Sequence, residues 1–350
     1  MKLRGKPLVA ALLLLFSIAI HFFSDNSTRV EYLYSTGFYP TIARILRFAT
    51  GFVPFSLGDI VYGAAIIWLL IIVVKLIRNK QYWKGVLITF VIFCTSVYIT
   101  FNLFWGINYN RKGIAYQLGL HPGKFSKEEL KELNCDLIEK VNSAKASSIT
   151  SHYSSNQQLF KETKKAFDAA TKVYPFLVYK NEDIKSSFWG WFGNYAGFTG
   201  YYNPFSGEAQ VNTTIPEFII PFTSCHEVAH QVGYAKEMEA NFVGYLAATA
   251  STDSFFHYSA YLDLFLYANK NLYYADSVAA KVYRKELSPA VEKDIQELIA
   301  FNRRHISVIE PVIRWIYGKY LQGNQQPKGI YSYDEVTGLM IAFKKKYAKI

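Results

Sequence analysis

Cysteine, methionine and charge are scarce in this chain. Its 350 residues include three cysteines, three methionines and 19% charged side chains. The cysteines stand at positions 94, 135 and 225, too few for a disulfide framework and not in a metal-binding spacing. Cys94 and Cys225 are expected to be small, buried apolar side chains. Little charge together with 51% apolar residues excludes a disordered chain.

The chain also lacks a basic stripe of the kind that binds nucleic acid. Its formal charge is +11, but residues 1–105 hold ten basic and three acidic side chains, whereas residues 106–350 hold 28 and 24. Most of the excess positive charge therefore lies between apolar segments. We predict no nucleic-acid partner.

What the sequence has instead is three long apolar runs, at about residues 7–23, 60–77 and 85–105. Each is about as long as a helix that crosses a bilayer, and soluble helices rarely stay apolar on every face over that length. The sequence therefore predicts a membrane domain of three transmembrane helices over residues 1–105. A cleaved signal peptide is the alternative for the first run, but bulky residues occupy the place of a cleavage site.

Basic residues predict the orientation of these helices. They precede the first run and fill the link between the second and third, at Lys2, Arg4, Lys6, Lys75, Arg78, Lys80 and Lys84. Because Lys and Arg are enriched in cytoplasmic loops, we place the N-terminus and this link in the cytoplasm and residues 24–59 outside. Everything from about residue 106 onward is then extracytoplasmic. Asp59, at the end of a turn-rich stretch, is expected to cap the second transmembrane helix.

Residues 106–350 are predicted to form a mostly helical domain with a small antiparallel β element, which makes the protein mainly α. The helix signals are a capping box at Ser126 and Glu129, a helical period over residues 157–173, Ser288–Pro289 opening a long helix to about Tyr320 with a kink at Pro311, and Ser332 with Glu335 capping the last helix.

The segment from residue 186 to 212 has a different character. Aromatic residues and glycines alternate at 188–193, turn residues follow at 203–207, and residues 208–212 alternate like a strand. We expect strands and no helix here. The aromatic-glycine run at 188–193 has three open interpretations: it lines a substrate cleft, rests on the membrane surface, or packs inside the domain.

One short motif carries chemistry. Residues 226–230 read His-Glu-Val-Ala-His, in a stretch from Phe222 to Val232 with a helical pattern. On a helix the two histidines lie one turn apart on the same face, so both imidazoles can bind one cation with Glu227 beside them. His226 and His230 are therefore predicted metal ligands, and Glu227 is the predicted catalytic residue.

A catalytic zinc ion normally takes a third protein ligand. Glu237 and Glu239 follow the motif, and Gly233 permits the sharp turn that would bring a following helix back to the metal. We favour Glu237, because Asn241 lies four residues on, on the same face, where its amide can orient a ligating histidine. Glu239 is the alternative, although it points about 200° away around the helix.

These residues resemble the gluzincin metallopeptidases, in which a helix supplies a glutamate as third ligand and an acid or amide four residues on supports the site. Two features depart from the membrane-embedded members with Glu-x-x-Ala-Asp: Asn241 replaces the aspartate, and the spacer after His230 is shorter. A metzincin is excluded, because Lys236 stands where those enzymes have a third histidine.

More of the chain is similar to an uncharacterised family of multi-pass bacterial membrane proteins with a zincin-like motif. The similar segments are residues 54–59, 202–209 and 226–246. This resemblance implies a bacterial inner-membrane protein. It implies architecture more than substrate, because the family has no assigned activity.

The sequence thus predicts a membrane-anchored zinc metallopeptidase that acts on a peptide or protein, with residues 208–212 as an edge strand for the substrate. The residues chemically able to donate to the oxyanion are Tyr201, Tyr202, His257, Arg303 and His305. Two alternatives stay open: a domain that binds zinc as a sensor or scaffold without catalysis, and a structural membrane protein with an accidental motif. The oligomeric state is not predicted.

Overall fold

A computed structural model describes residues 5–78, 83–148 and 153–350 of the chain. The N-terminal elements are helices α1 (Lys6–Ser24), α2 (Ser27–Arg29), a π-helical segment (Val30–Phe38), α3 (Tyr39–Thr50), α4 (Leu57–Arg78) and α5 (Trp83–Phe104). The protein is mainly helical, as predicted.

Three of these helices, α1, α4 and α5, are long and apolar enough to cross a membrane, which confirms the three predicted spans. Their most apolar stretches have only 11%, 11% and 6% of their residues buried within the protein. Apolar side chains turned outward over such a length are typical of helices that cross a membrane. Cys94 belongs to this outward-facing set, so its predicted burial is wrong, whereas Cys225 is buried.

The segment between the first two spans is helical over most of its length. Its entry into α4 differs from the prediction: the Ser56 hydroxyl accepts a hydrogen bond from the backbone N–H of Asp59 (2.9 Å), so Ser56 caps this helix. The Asp59 carboxylate instead accepts from the N–H of Phe188 (2.7 Å) and from the hydroxyl of Tyr201. Asp59 therefore ties α4 to the large part of the chain.

The large part contains eleven further helices that we name and three strands. They are α6 (Gly113–Leu118), α7 (Lys127–Ser147), α8 (Asn156–Val173), β1 (Ile184–Ser186), α9 (Gly190–Ala196), β2 (Gly200–Asn203), β3 (Glu208–Val211), α10 (Ile220–Gln231), α11 (Glu237–Ala250), α12 (Ser254–Ala275), α13 (Ser277–Arg284), α14 (Pro289–Arg304), α15 (Glu310–Gly323) and α16 (Val336–Tyr347). Its core packs α7, α8, α10, α11, α12 and α16 around fully buried aromatic and leucine side chains.

Two helix predictions are confirmed and two are wrong. The Ser126–Glu129 capping box forms, and α8 covers the predicted residues 157–173. The expected long helix is instead two helices, because the chain leaves helical geometry at His305 and Pro311 opens α15 in its first turn. Ser332 lies within a 3₁₀ segment, Gly329–Glu335, and none of the described side chains caps α16.

The sheet is mixed rather than purely antiparallel. Its strand order is β1-β3-β2, with β3 antiparallel to β2 and parallel to β1. Residues 208–211 are therefore the central strand, and the prediction of an edge strand there is wrong. The helix α9 also contradicts the expectation of no helix between residues 186 and 212. Glycines 190 and 193 lie within this helix.

Candidate metal centre

The motif helix α10 is wholly buried. Pro221 lies in its first turn, where a missing N–H costs nothing, and all twelve residues from Ile220 to Gln231 are buried. The helix ends where Gly233 adopts φ +94°, a conformation that favours glycine. This bend turns the chain directly into α11, as the sequence predicted.

Helices α10 and α11 pack closely because α11 has a glycine, with no side chain, where the two helices meet. A Cβ atom on Gly244 of α11 would lie 3.1 Å from the backbone nitrogen of His226. The close approach brings the first turn of α11, which begins at Glu237, against the face of α10 that carries the two histidines. Local sequence thus sets the distance between the candidate ligands.

Three predicted ligands converge in the structure. Oε2 of Glu237 lies 3.3 Å from Nε2 of His226 and 3.4 Å from Nε2 of His230, and one ligand atom from each of the three lies within 4.8 Å of the others. Zinc–ligand bonds of about 2.0–2.1 Å at tetrahedral angles place neighbouring ligand atoms roughly 3.3 Å apart. The cluster therefore has the donor atoms and spacing that a tetrahedral cation requires.

A hydrogen bond orients the imidazole of His230 toward this point. Nδ1 of His230 lies 2.7 Å from the carbonyl oxygen of Tyr234, so this nitrogen donates and Nε2 is left for the cation. The side chain of Asn241 acts on the ring of His226 and favours a higher pKa for it. Asn241 thus lies beside a candidate ligand, as the sequence predicted.

Charge within the cluster also favours a cation. Burial alone would raise the pKa of Glu237, but the two imidazoles hold that pKa far below its usual range. Burial lowers the pKa of His226, which favours the neutral ring that binds metals. Burial would likewise lower the pKa of His230, but the Glu237 charge raises it overall. The glutamate is therefore a carboxylate facing two nitrogen donors.

Glu227 lies beside the cluster and faces the sheet. Its Oε2 atom is buried and makes no hydrogen bond to any described residue. Burial is the main cause that raises the pKa of Glu227 to about 8. The His230 ring acts to lower this pKa, and the negative charge of Glu237 acts to raise it further. A Cβ atom on Gly200 of β2 would lie 2.6 Å from its Oε1 atom, so the glycine leaves room for this carboxylate. A buried carboxylate without a partner is suited to exchanging a proton.

Glu239, the alternative third ligand, faces elsewhere. Its carboxylate lies against Gly113, where a Cβ atom would be 1.8 Å from Oε1. The backbone N–H of Ile114 hydrogen-bonds this carboxylate, but burial still raises the pKa of Glu239. Glu239 therefore supports the start of α6, and the structure brings Glu237 to the histidines.

Side chains from the N-terminal part of the protein hold the end of α10. Nε1 of Trp105, directly after α5, donates to the carbonyl of His230 (3.0 Å). The hydroxyl of Tyr39 donates to Gln231 (2.8 Å), and a guanidinium nitrogen of Arg47 donates to the same carbonyl (3.1 Å). Cations and donors at a helix C-terminus satisfy its last carbonyls and its dipole. The candidate site is therefore built by both parts of the chain.

A buried ion pair fixes the bend after α10. Arg111 donates to Glu31 through two nitrogens, at 2.8 and 3.1 Å, and a third nitrogen donates to the carbonyl of Gly233 (3.0 Å). Both charged side chains are 3% exposed. Sequence reasoning missed this pair, because 80 residues separate its members and neither belongs to the motif.

The structure also joins two segments that sequence comparison singled out separately. The Glu208 carboxylate accepts from the backbone N–H groups of Leu57 (3.0 Å) and Gly58 (2.6 Å) at the start of α4. Gly58 is tightly enclosed, since a Cβ atom there would lie 2.3 Å from the Asn203 amide. Residues 54–59 and 202–209 therefore form one buried polar junction between a membrane span and the sheet.

Three of the five predicted oxyanion donors have other hydrogen-bond partners, and α15 supplies an unpredicted tyrosine. Tyr201 donates to Asp59, and Nε2 of His257 bonds the carbonyl of Ser251 (2.7 Å). Arg303 is exposed, Nδ1 of His305 bonds the carbonyl of Phe301 (2.8 Å), and Tyr202 packs on Trp105. The hydroxyl of Tyr317, in contrast, donates to Oε1 of Glu237 (2.6 Å). No sequence signal pointed to Tyr317, because α15 follows the motif by about 80 residues.

Fold and site together define a mainly helical protein with three possible membrane spans and a buried three-ligand cluster. The chain belongs to the family described as "Protein of unknown function (DUF3810)", whose model matches residues 34–341. That range includes α4, α5 and every residue of the cluster. No curated protein and no solved structure matches the chain. The predicted membership of an uncharacterised family is confirmed, and it brings no activity with it.

Proposed function

We propose that this protein is a membrane-anchored zinc metallopeptidase. His226, His230 and Glu237 would hold zinc, and Glu227 would be the general base. The single observation that carries the proposal is the placement of Glu237 Oε2 at 3.3 and 3.4 Å from the two Nε2 atoms.

The donor set fits zinc better than a harder cation. Two imidazole nitrogens and one carboxylate are the ligands of many catalytic zinc sites, whereas magnesium and calcium prefer oxygen donors throughout. The hydrogen bond from His230 Nδ1 to the Tyr234 carbonyl fixes the orientation of the ring. Histidines that bind zinc usually donate their other ring nitrogen in this way. Three protein ligands would leave one position for water or substrate.

Zinc in such a site supplies Lewis acidity, which polarises a carbonyl and lowers the pKa of water. In our proposal Glu227 accepts a proton as water attacks the peptide carbonyl, and a carbon–oxygen bond forms. It then donates this proton to the departing nitrogen as the carbon–nitrogen bond breaks. In our proposal the Tyr317 hydroxyl, which reaches the cluster through its hydrogen bond to Glu237, donates to the developing oxyanion.

The substrate strand would align on β2 rather than on β3. The edge strand β2 brings Gly200 against Glu227, so its backbone passes directly beside the proposed base. Extended peptides bind edge strands through main-chain hydrogen bonds. This replaces the alignment that the sequence alone suggested.

We also propose that the large part of the chain is extracytoplasmic and that the N-terminus is cytoplasmic, from the positive charges flanking the spans. The native thiols offer a test, because Cys135 is exposed on α7 and Cys225 is buried. In intact cells, a membrane-impermeant maleimide should label the wild-type chain and not the Cys135→Ser variant. Labelling of Cys135 only after the cells are permeabilised would contradict this orientation.

Metal analysis of the purified full-length protein tests the ligand set. We expect about one zinc per chain in the wild type and its loss in His226→Ala and Glu237→Ala. Glu239→Gln is the matched control, because this buried carboxylate lies outside the cluster and should keep the metal. Equal metal content in all four proteins would refute the proposed site.

A further inference from the structure

A large apolar surface outside the three spans is turned toward solvent. We define the aromatic surface by its exposed apolar side chains, which lie at the start of α9, in the connection from α14 to α15 and on α15. They are Phe188, Trp189, Trp191, Phe192, Ile306, Val308, Ile309, Val312, Trp315 and Ile316. The exposed fractions reach 68% for Trp191, 66% for Trp315 and 89% for Val308. So many large apolar groups in one place indicate a contact with another apolar phase.

The two halves of this surface are joined. The Ser307 hydroxyl donates to the carbonyl of Tyr195 in α9 (2.6 Å), and the ring of His305 lies 5.0 Å from that of Tyr195. The side chain of Glu310, at the start of α15, packs over Gly197 at the end of α9. The aromatic surface is therefore one continuous, rigidly held face.

This face adjoins a membrane span. Phe188 stacks on Phe55 with ring centroids 6.3 Å apart, and its backbone N–H is bonded to Asp59 of α4. The indole of Trp189 would be 3.9 Å from a Cβ atom on Gly63. Gly63 lies six residues inside α4, which is about 9 Å along the helix. Apolar faces of interfacial helices enter the bilayer by about 5–10 Å, which matches the level of Trp189 along this span.

We infer that the aromatic surface is immersed in the outer edge of the same bilayer that the three helices cross. Trp and Phe are the side chains enriched at this depth. The exposed cations Arg303 and Arg304, which end α14 two residues before Ile306, fit the phosphate layer above it. A second copy of the chain or a soluble partner would not account for the continuity with α4.

The same helix would then contact lipid and the candidate site on opposite faces. On α15, Val312, Trp315 and Ile316 belong to the aromatic surface, whereas Tyr317 reaches Glu237. This inference does not depend on zinc or on catalysis. Its failure would leave the proposed function intact, and the reverse also holds.

Site-directed spin labelling of the full-length protein tests the inference. The background carries Cys94→Ser and Cys135→Ser, and single cysteines replace Trp191, Val308 or Trp315. Val278 on α13 is the matched control, because it is 72% exposed and lies outside the aromatic surface. The protein is placed in nanodiscs of phosphatidylcholine and phosphatidylglycerol, with one chain per disc.

Collision with oxygen, which partitions into lipid, is compared with collision with a water-soluble nickel chelate. We expect the ratio of oxygen to nickel collisions to be at least several-fold higher at the three test positions than at 278. Equal ratios at all four positions would overturn the inference and leave the surface for a soluble partner. Protection that arises only in discs holding two chains would overturn it in favour of self-association.

Discussion

The three spans and the pair formed by α10 and α11 are both rich in apolar residues, yet they use them in opposite ways. In α1, α4 and α5 most of the apolar stretch faces outward. In α10 every residue is buried, including His226, Glu227 and His230. Apolar surroundings thus act as solvent for the spans, whereas around α10 they enclose charged groups and shift their pKa values.

The largest expected effect comes from a substitution in α10 that changes the proposed chemistry without changing the metal ligands. Glu227→Gln removes the proposed base and leaves the three ligands. We expect kcat for peptide hydrolysis to fall by about 10²–10⁴ with zinc content unchanged. The measurement is steady-state hydrolysis together with metal analysis of the same sample. Full cellular function in this variant would favour the alternative of a zinc-binding scaffold.

Next in size is the loss of the ion pair that holds the bend after α10. Arg111→Met leaves Glu31 buried without its cation, and such a change costs about 3–5 kcal/mol of stability. Replacing both charges, in Glu31→Leu with Arg111→Met, should be less harmful than the single change. Thermal unfolding in detergent measures both. A single variant as stable as the wild type would show that the pair does not secure this bend.

A matched pair of glycine substitutions gives the smallest effect and compares the two regions directly. Gly244→Ala introduces a methyl group 3.1 Å from the His226 backbone, so we expect a loss of about 1–3 kcal/mol and weaker zinc binding. Gly85→Ala in α5 meets nothing within 4 Å and should be neutral or slightly stabilising. Equal shifts in the two unfolding midpoints would contradict the tight packing of α10 on α11.

The parts of this structure that follow from short-range pattern could be predicted. Hydropathy was sufficient for the spans, and helical spacing with a glycine bend was sufficient to bring Glu237 rather than Glu239 to the histidines. The capping role of Asp59 was predicted wrongly because the N-cap position of α4 is occupied by Ser56, three residues earlier. The broken helix at His305 was missed because proline permits either a kink or a new helix start.

The supports of the site could not be predicted, because they are long-range. Trp105, Arg111 and Tyr317 bond to His230, Gly233 and Glu237 from 125, 122 and 80 residues away. Each is an ordinary residue in its own sequence context. Only the packing of distant segments against α10 and α11 gives them a role.

The hydrogen bonds at the end of α10 constrain how the protein can be produced. A secreted fragment beginning at Gly106 would lack the Tyr39 hydroxyl, the Arg47 guanidinium and the Trp105 indole, all of which donate to the carbonyls of His230 or Gln231. The Gln231 carbonyl would lose both of its side-chain donors, and a buried carbonyl left without a donor costs about 1–3 kcal/mol. A soluble fragment would therefore have a destabilised C-terminal end of α10, the helix that carries the histidines. Biochemical work calls for the intact chain in detergent or lipid.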